Sequence, residues 1–307
     1  MRRRFAAGSW EEAWADMSWQ AGVSDQADER NPKPPGHRGI LVVSFGTSYN
    51  ESRQAAIEAI EAAIGRAYPQ YKVRRAFTSQ VIIDKVRQRD GVGIDNVEEA
   101  LKRAGAEGIT DLVVQPTHLL DGYEYMDLAD AVNGFKGRFD RVALGKPLLT
   151  SDEDFDKVVK AVRARTAAYD DGHTAICFMG HGTGAKSNKV YPDFQHKLKA
   201  CGYENYYIGT VEAKPDLYDV VAMLREKGPY KKVVLEPLMV VAGDHANKDM
   251  AGDQEDSWKS VLKREGYEVE CILEGLGQIA AVRDIYVDHI KAVIGSGYGE
   301  AGKQCQK

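Results

Sequence analysis

The chain has 307 residues, is 43% hydrophobic and 28% charged, and carries a net charge of −5. That balance describes a soluble globular protein long enough for two domains. It disfavours a nucleic-acid-binding surface, and no apolar run approaches the ~20 residues that span a bilayer.

The start, Met1-Arg-Arg-Arg-Phe5, hints at a twin-arginine export signal. The next stretch, Trp10-Glu-Glu-Ala-Trp-Ala-Asp16, is not the apolar segment such a signal needs, so a cytoplasmic location is expected. Ser9 and Glu12 can cap a short helix with Trp10, Trp14 and Met17 on one face. Residues 24–38, with Pro32, Pro34 and Pro35, read as a linker, which makes residues 1–38 an extension.

From Gly39 strands and helices alternate. Ile40 to Phe45 reads as a strand, and Ser48 with Glu51 opens a helix that puts Ile57, Ile60 and Ile64 on one face. Strands follow at Tyr71–Phe77, Asp111–Leu120 and Arg141–Leu148. Asp95 and Glu98 open a helix between the first two, and Ser151 caps another that reaches about Tyr169. Strand 174–179 then leads into Gly180-His181-Gly182-Thr183-Gly184. Helices near 193–200, 216–226, 250–265 and 278–294 alternate with strands near 205–211, 232–241 and 267–273.

This alternation predicts an α/β fold of two similar lobes, each a parallel sheet flanked by helices. The lobes span residues 39–149 and 150–294, with a tail at 295–307. Ser44-Phe45-Gly46-Thr47 aligns with Gly180-His181-Gly182-Thr183, and Phe77-Thr78-Ser79-Gln80 with Gly209-Thr210-Val211-Glu212. Pro116, Gly122 and Glu124 align with Pro237, Gly243 and His245. Three matches in one order indicate an internal duplication. Two facing lobes make a cleft at their strand ends, with His181 and His245 expected on its two sides.

The glycines around His181 let a ligand approach it, although a phosphate-cradling loop is the plainer reading. No P-loop or dinucleotide fingerprint is present. His245 is followed by Asn247 and Asp249 and preceded by Asp244, and a ligand histidine donates its second N–H to such a carboxylate. The plainer reading there is a polar surface loop. Two imidazoles with Glu212 or Glu124 form a mixed nitrogen and oxygen site suited to Co, Fe, Ni or Zn. His118 reads as a residue inside a strand, and His37, His173, His196 and His289 sit in a linker, a turn or on helix surfaces. Cys177, Cys201, Cys271 and Cys305 have no metal-ligand spacing, and Cys177 and Cys271 read as buried thiols of a reducing compartment.

Val43-Ser-Phe-Gly-Thr-Ser48, His118-Leu-Leu-Asp-Gly-Tyr-Glu124, Phe178-Met-Gly-His-Gly182, Gly209-Thr-Val-Glu212 and Pro237-Leu-Met-Val-Val-Ala-Gly-Asp-His-Ala-Asn247 together resemble the CbiK-type anaerobic cobalt chelatases. These are sirohydrochlorin cobaltochelatases of the class II chelatase family. The resemblance covers about residues 39–294. It implies a bilobal fold, no organic cofactor, and insertion of Co²⁺ into sirohydrochlorin on the route to cobalamin, with Fe²⁺ or Ni²⁺ as admissible metals. It puts the metal ligands at His181, Glu212 and His245. His181, His245 and Glu124 become the catalytic set, and Gly46, Thr47, Tyr123, Gly182, Gly243 and Asp244 the substrate contacts. Arg53, Lys186, Lys189 and Lys248 are candidate partners for the substrate's carboxylates. A non-catalytic tetrapyrrole or metal carrier and a ferrochelatase are the alternatives. Neither a membrane nor a nucleic acid is an expected partner, and a homo-oligomer is left open.

Overall fold

The computed structural model describes residues 37–295. The capped helix at Ser9, nearly all of the linker and the tail lie outside the described residues. Within them stand two sheets of four strands each. In the first, β1 (Arg38–Ser44) lies between β2 (Lys72–Phe77) and β3 (Asp111–Pro116), with β4 (Arg141–Leu144) beyond β3. In the second, β5 (Thr174–Gly180) lies between β6 (Tyr206–Thr210) and β7 (Lys232–Pro237), with β8 (Glu268–Cys271) beyond β7. Every pairing is parallel. Helices cover both faces, so central strands are apolar throughout, and β5 is buried at every residue.

The connecting helices are α1 (Ala59–Ala67), α2 (Gln80–Asp90), α3 (Val97–Ala106), α4 (Tyr123–Gly134), α5 (Asp152–Thr166), α6 (Val190–Ala200), α7 (Leu217–Lys227), α8 (Trp258–Arg264) and α9 (Ala280–Gly295). Several differ from the sequence reading. The first helical stretch starts at Asn50 after Tyr49, without a side-chain cap from Ser48, and passes through a π-helical segment, Arg53–Glu58. The cap of α3 is Asn96 paired with Glu99, one residue later than expected. Asp95 instead takes both ends of the Arg103 guanidinium at 2.7 and 2.8 Å. Ser151 caps α5 as expected.

Strands β3 and β7 stop at Pro116 and Pro237, short of the expected Leu120 and Val241. Beyond Pro237 the apolar run leaves the ladder, and Met239 and Val240 accept from the N–H groups of Leu276 and Gly277 instead.

The duplication is visible in the register. Val43 pairs with Pro116 as Met179 pairs with Pro237. Ser44 pairs with Phe77 as Gly180 pairs with Thr210, so Thr210 rather than Gly209 is the counterpart of Phe77. That corrects the second sequence match by one residue and makes Ser79 the counterpart of Glu212. Accordingly, Ser79 N–H donates to Phe45 C=O and Glu212 N–H to His181 C=O.

The halves share a core. Ile40, Val42 and Val113 of the first sheet belong to one apolar cluster with Ile176, Phe178 and Val234 of the second. Helix α9 returns to pack on α1, α5 and β3. Its Tyr286 hydroxyl donates to Thr117 C=O at 2.9 Å, and His289 Nε2 meets Asp154 at 3.0 Å. Burial pushes the Asp154 carboxyl up, but the bonds from His289, Ser151 and Thr150 outweigh it and hold the group well below the usual range. No described helix is long and apolar enough to cross a membrane.

A buried ion pair sits under the first sheet. Arg75, 3% exposed, donates twice to Glu61, 2% exposed, at 2.7 and 2.6 Å. Glu61→Ala is expected to cost about 3 kcal/mol, because it strands a buried guanidinium with only the more distant Glu58 at 3.4 Å. Denaturant titration checks this. The double replacement Glu61→Leu with Arg75→Met removes both charges and should recover most of the loss.

Candidate metal centre

The strand order reverses between β1 and β3 in one half and between β5 and β7 in the other. Loops leaving such a switch point diverge and open a crevice at the carboxyl ends of the strands. His181 follows β5 directly, and His245 lies beyond β7. Because β5 and β7 are neighbours, both histidines stand on the second half, side by side, and not on opposite sides of the cleft. Their ring centroids are 4.7 Å apart with planes at 86°.

Glu212 joins them from the end of β6. Its N–H donates to His181 C=O at 2.9 Å, which ties the two loops together. One ligand atom from each of His181, Glu212 and His245 lies within 4.8 Å of the other two. Ligands around one ion at about 2.1 Å stand up to about 4.2 Å apart, so a slight contraction suffices to hold a divalent cation. The three side chains are 43%, 55% and 33% exposed, open enough for a large second ligand to reach the ion.

The hydrogen bonds of the two rings fix their usable nitrogens. His181 Nδ1–H donates to Gly182 C=O at 2.8 Å. His245 Nδ1–H donates to Asp249 Oδ2 at 2.7 Å. Each Nε2 then keeps its lone pair for a metal. Of the two aspartates considered for this role, Asp249 fills it. Asp244 accepts from Tyr49 hydroxyl at 3.0 Å and from Lys248 at 2.7 Å, and Lys248 chiefly holds its carboxyl below the usual range. His245 is not in an open loop. Asp244 and His245 begin a helical turn that runs into a π-helical segment, Ala246–Met250, a feature frequent at functional sites.

Gly182 has φ 86° and Gly46, its repeat counterpart, φ 100°. A Cβ on Gly182 would meet Ala213 N at 2.8 Å, so glycine lets the His181 loop lie directly on the loop carrying Glu212.

The first half presents different residues at the matching positions. Phe45 stands where the second half has His181, Ser79 where it has Glu212, and Glu124 where it has His245. Phe45, Tyr123 and Met126 are 49%, 56% and 55% exposed, an apolar surface on the loops after β1 and β3. Glu124 lies in the first turn of α4. A Cβ on Gly122 would stand 3.6 Å from Glu124 Oε2 and 3.9 Å from Thr183 Oγ1, which puts this carboxylate near the His181 loop but outside the three-residue cluster.

The remaining substrate candidates lie along the seam between the halves. Thr47 is buried and its hydroxyl would be 3.7 Å from a Cβ on Gly243. Tyr123 hydroxyl would be 3.5 Å from a Cβ on Gly184. Among the candidate cations, Lys248 is engaged by Asp244, and Arg53 lies 3.8 Å from Glu58 with its side chain 11% exposed. Lys186 and Lys189 are exposed.

His118 is not inside a strand. It follows β3, and neither ring nitrogen contacts solvent or a hydrogen-bond partner among the described residues. Burial pushes this imidazole down to about 4, with the Glu124 charge opposing. The sequence reading missed it because an apolar run continuing past Pro116 conceals the end of the ladder.

Fold and site together define a bilobal α/β protein that handles a divalent metal in a cleft. Residues 38–295 match the cobalt chelatase (CbiK) family. The sirohydrochlorin cobaltochelatase of Salmonella typhimurium (strain LT2) is 36% identical over 264 residues, which cover 86% of this chain and 99% of that one. The sirohydrochlorin cobaltochelatase CbiKC of Nitratidesulfovibrio vulgaris (strain Hildenborough) is 30% identical over 275 residues, 89% of this chain and 96% of that one. The chain belongs to the cobalt chelatase (CbiK) family. Its fold is also similar to that of SirB from Bacillus subtilis with Fe³⁺, with a TM-score of 0.59 at 15% identity, covering 84% of this chain and 95% of that one.

Proposed function

We propose that this protein is a sirohydrochlorin cobaltochelatase, inserting Co²⁺ into sirohydrochlorin in anaerobic cobalamin biosynthesis. The enzyme is a metal chelatase and Co²⁺ is its substrate metal. The observation that carries this reading is the cluster of His181, Glu212 and His245 in a chain that matches the cobalt chelatase family from end to end of its described body.

Insertion requires a partly dehydrated ion beside the macrocycle and the loss of two pyrrole N–H protons. In our reading His181 and His245 hold Co²⁺ through Nε2, and Glu212 offsets its charge. Three half-exposed ligands without a thiolate release an ion more readily than a closed structural site does. As the ion passes to the ring, the lone pair of a freed imidazole accepts one pyrrole proton. Glu124, reaching in from the other half, accepts the second. The flat macrocycle lies against Phe45, Tyr123 and Met126, with Gly46, Thr47, Gly182, Gly243 and Asp244 shaping the seam. Lys186 and Lys189 meet its carboxylates. A cytoplasmic location goes with this reading, and the free thiols of Cys177, Cys201 and Cys271 suit it.

The test is steady-state insertion of Co²⁺, Fe²⁺ and Ni²⁺ into sirohydrochlorin and into a protoporphyrin-type ring, followed by absorbance. Turnover with Co²⁺ and sirohydrochlorin is expected to dominate. Stoichiometric binding without turnover would make the protein a carrier, and turnover only with the other ring would overturn the substrate.

A further inference from the structure

His118 has an unusual environment for a histidine. Leaving a buried polar atom unpaired is costly, so such atoms are few and call for an explanation. Here both ring nitrogens are shielded and unpartnered, while the residue as a whole is only half-buried. The backbone around it is held firmly. Thr117 N–H donates to Val43 C=O at 2.8 Å, and Thr117 hydroxyl to Ser44 Oγ at 2.8 Å. Tyr286 hydroxyl donates to Thr117 C=O at 2.9 Å, and Leu148 N–H to His118 C=O at 2.9 Å. The fold therefore fixes an imidazole below the cleft and gives its nitrogens nothing to do.

One charged side chain acts on that ring, and it is Glu124. The same carboxylate acts on the buried Tyr191, whose hydroxyl accepts from Gly182 N–H at 3.1 Å beside His181. Glu124 thus stands between the metal cluster and His118, six positions along the chain from the latter and at the exposed start of α4.

We propose that His118 is a positioning residue that acts through Glu124, receiving the proton that Glu124 takes from the macrocycle. This rests on the cobaltochelatase reading. A pyrrole N–H bond breaks, and its electron pair stays on nitrogen for the bond to Co²⁺. The proton forms an O–H bond on Glu124. That bond breaks in turn as the proton passes to an imidazole nitrogen of His118, which restores the carboxylate and leaves an imidazolium. His118 later yields the proton to water. No redox step is involved. Burial keeps the waiting imidazole neutral, at a level near that at which carboxylic acids release a proton, so transfer in either direction is nearly balanced. His118 does not touch the macrocycle in this scheme.

The experiment is a double-mutant cycle on the full chain with Co²⁺ and sirohydrochlorin, using His118→Phe, His118→Gln, Glu124→Gln and the two combinations. His118→Phe removes the unpaired nitrogens at similar volume, and His118→Gln keeps polarity without a titratable group. Each is expected to lower kcat by about tenfold to a hundredfold, leave both KM values within about twofold, and add no further loss in the Glu124→Gln background. Unchanged kcat, or losses that multiply in the double variants, overturns the proposal and leaves His118 a packing residue. Should His118→Phe fail to fold, His118→Gln decides the matter alone. A wild-type enzyme that inserts no cobalt in the same assay would instead sink the functional reading on which the proposal stands.

Discussion

Replacing His245 by alanine is expected to reduce cobalt insertion by at least about a hundredfold. The substitution removes one of two imidazoles whose Nε2 lone pairs face the same point, and Glu212 with His181 alone would hold the ion with one nitrogen and one carboxylate. The fold should survive. The His245 side chain is 33% exposed and its Nδ1 bonds to Asp249 on its own turn, so no buried partner is stranded. A melting temperature within about 2 °C of the parent is expected, as for most exposed substitutions. Asp249→Asn grades the effect. It weakens the bond that fixes the His245 tautomer and leaves the ligand atom in place, so a tenfold to hundredfold loss in Co²⁺ affinity is the order expected for such a supporting carboxylate. Calorimetric Co²⁺ titration and initial rates measured on both variants separate binding from insertion. A folded His245→Ala enzyme with parental turnover would remove His245 from the mechanism.

The sequence showed the strands best where both faces are buried. β1, β5 and β7 are uninterrupted apolar runs because helices cover them on both sides. The same property hid their ends. Leu238 and Val240 stay buried after Pro237 has ended the ladder, since they pack into the core shared by the halves. Composition cannot distinguish a buried strand from a buried crossing segment. Helices α2 and α4 left little trace because each buries only two residues, Ile83 and Val86 in one, Leu128 and Val132 in the other. Their apolar stripe is too thin to show the helical period. For the site, the glycines around His181 and the carboxylates after His245 were local signals and were readable. Which half each histidine belongs to depends on strand order, and order is settled by pairing across the sheet. The repeat even suggested the wrong geometry, because it aligned His245 with Glu124 and so invited a site divided between halves. The partner of Arg75 was invisible for a similar reason, as Glu61 reaches it from a helix packed beneath the sheet.

Gly182→Ala is expected to lower both stability and turnover, by two separable routes. With φ 86°, the position strains any side chain, at a cost of about 1–3 kcal/mol. The added Cβ would also stand 2.8 Å from Ala213 N, a contact that backbone must relieve by moving. Ala213 adjoins Glu212, and Glu212 N–H is bonded to His181 C=O, so relief of the clash shifts one metal ligand against another. A displacement of about 1 Å in such a constellation can cost about a hundredfold in rate. Gly202→Ala is the matched control. Its φ of 82° imposes the same strain, yet nothing lies within 4 Å of its added Cβ, and it sits in the turn after α6, away from the cluster. Thermal melts should show both variants destabilised, and initial rates of cobalt insertion below the transition should show only Gly182→Ala impaired. Equal turnover in the two would mean that the close approach of the His181 and Glu212 loops has no part in placing the metal.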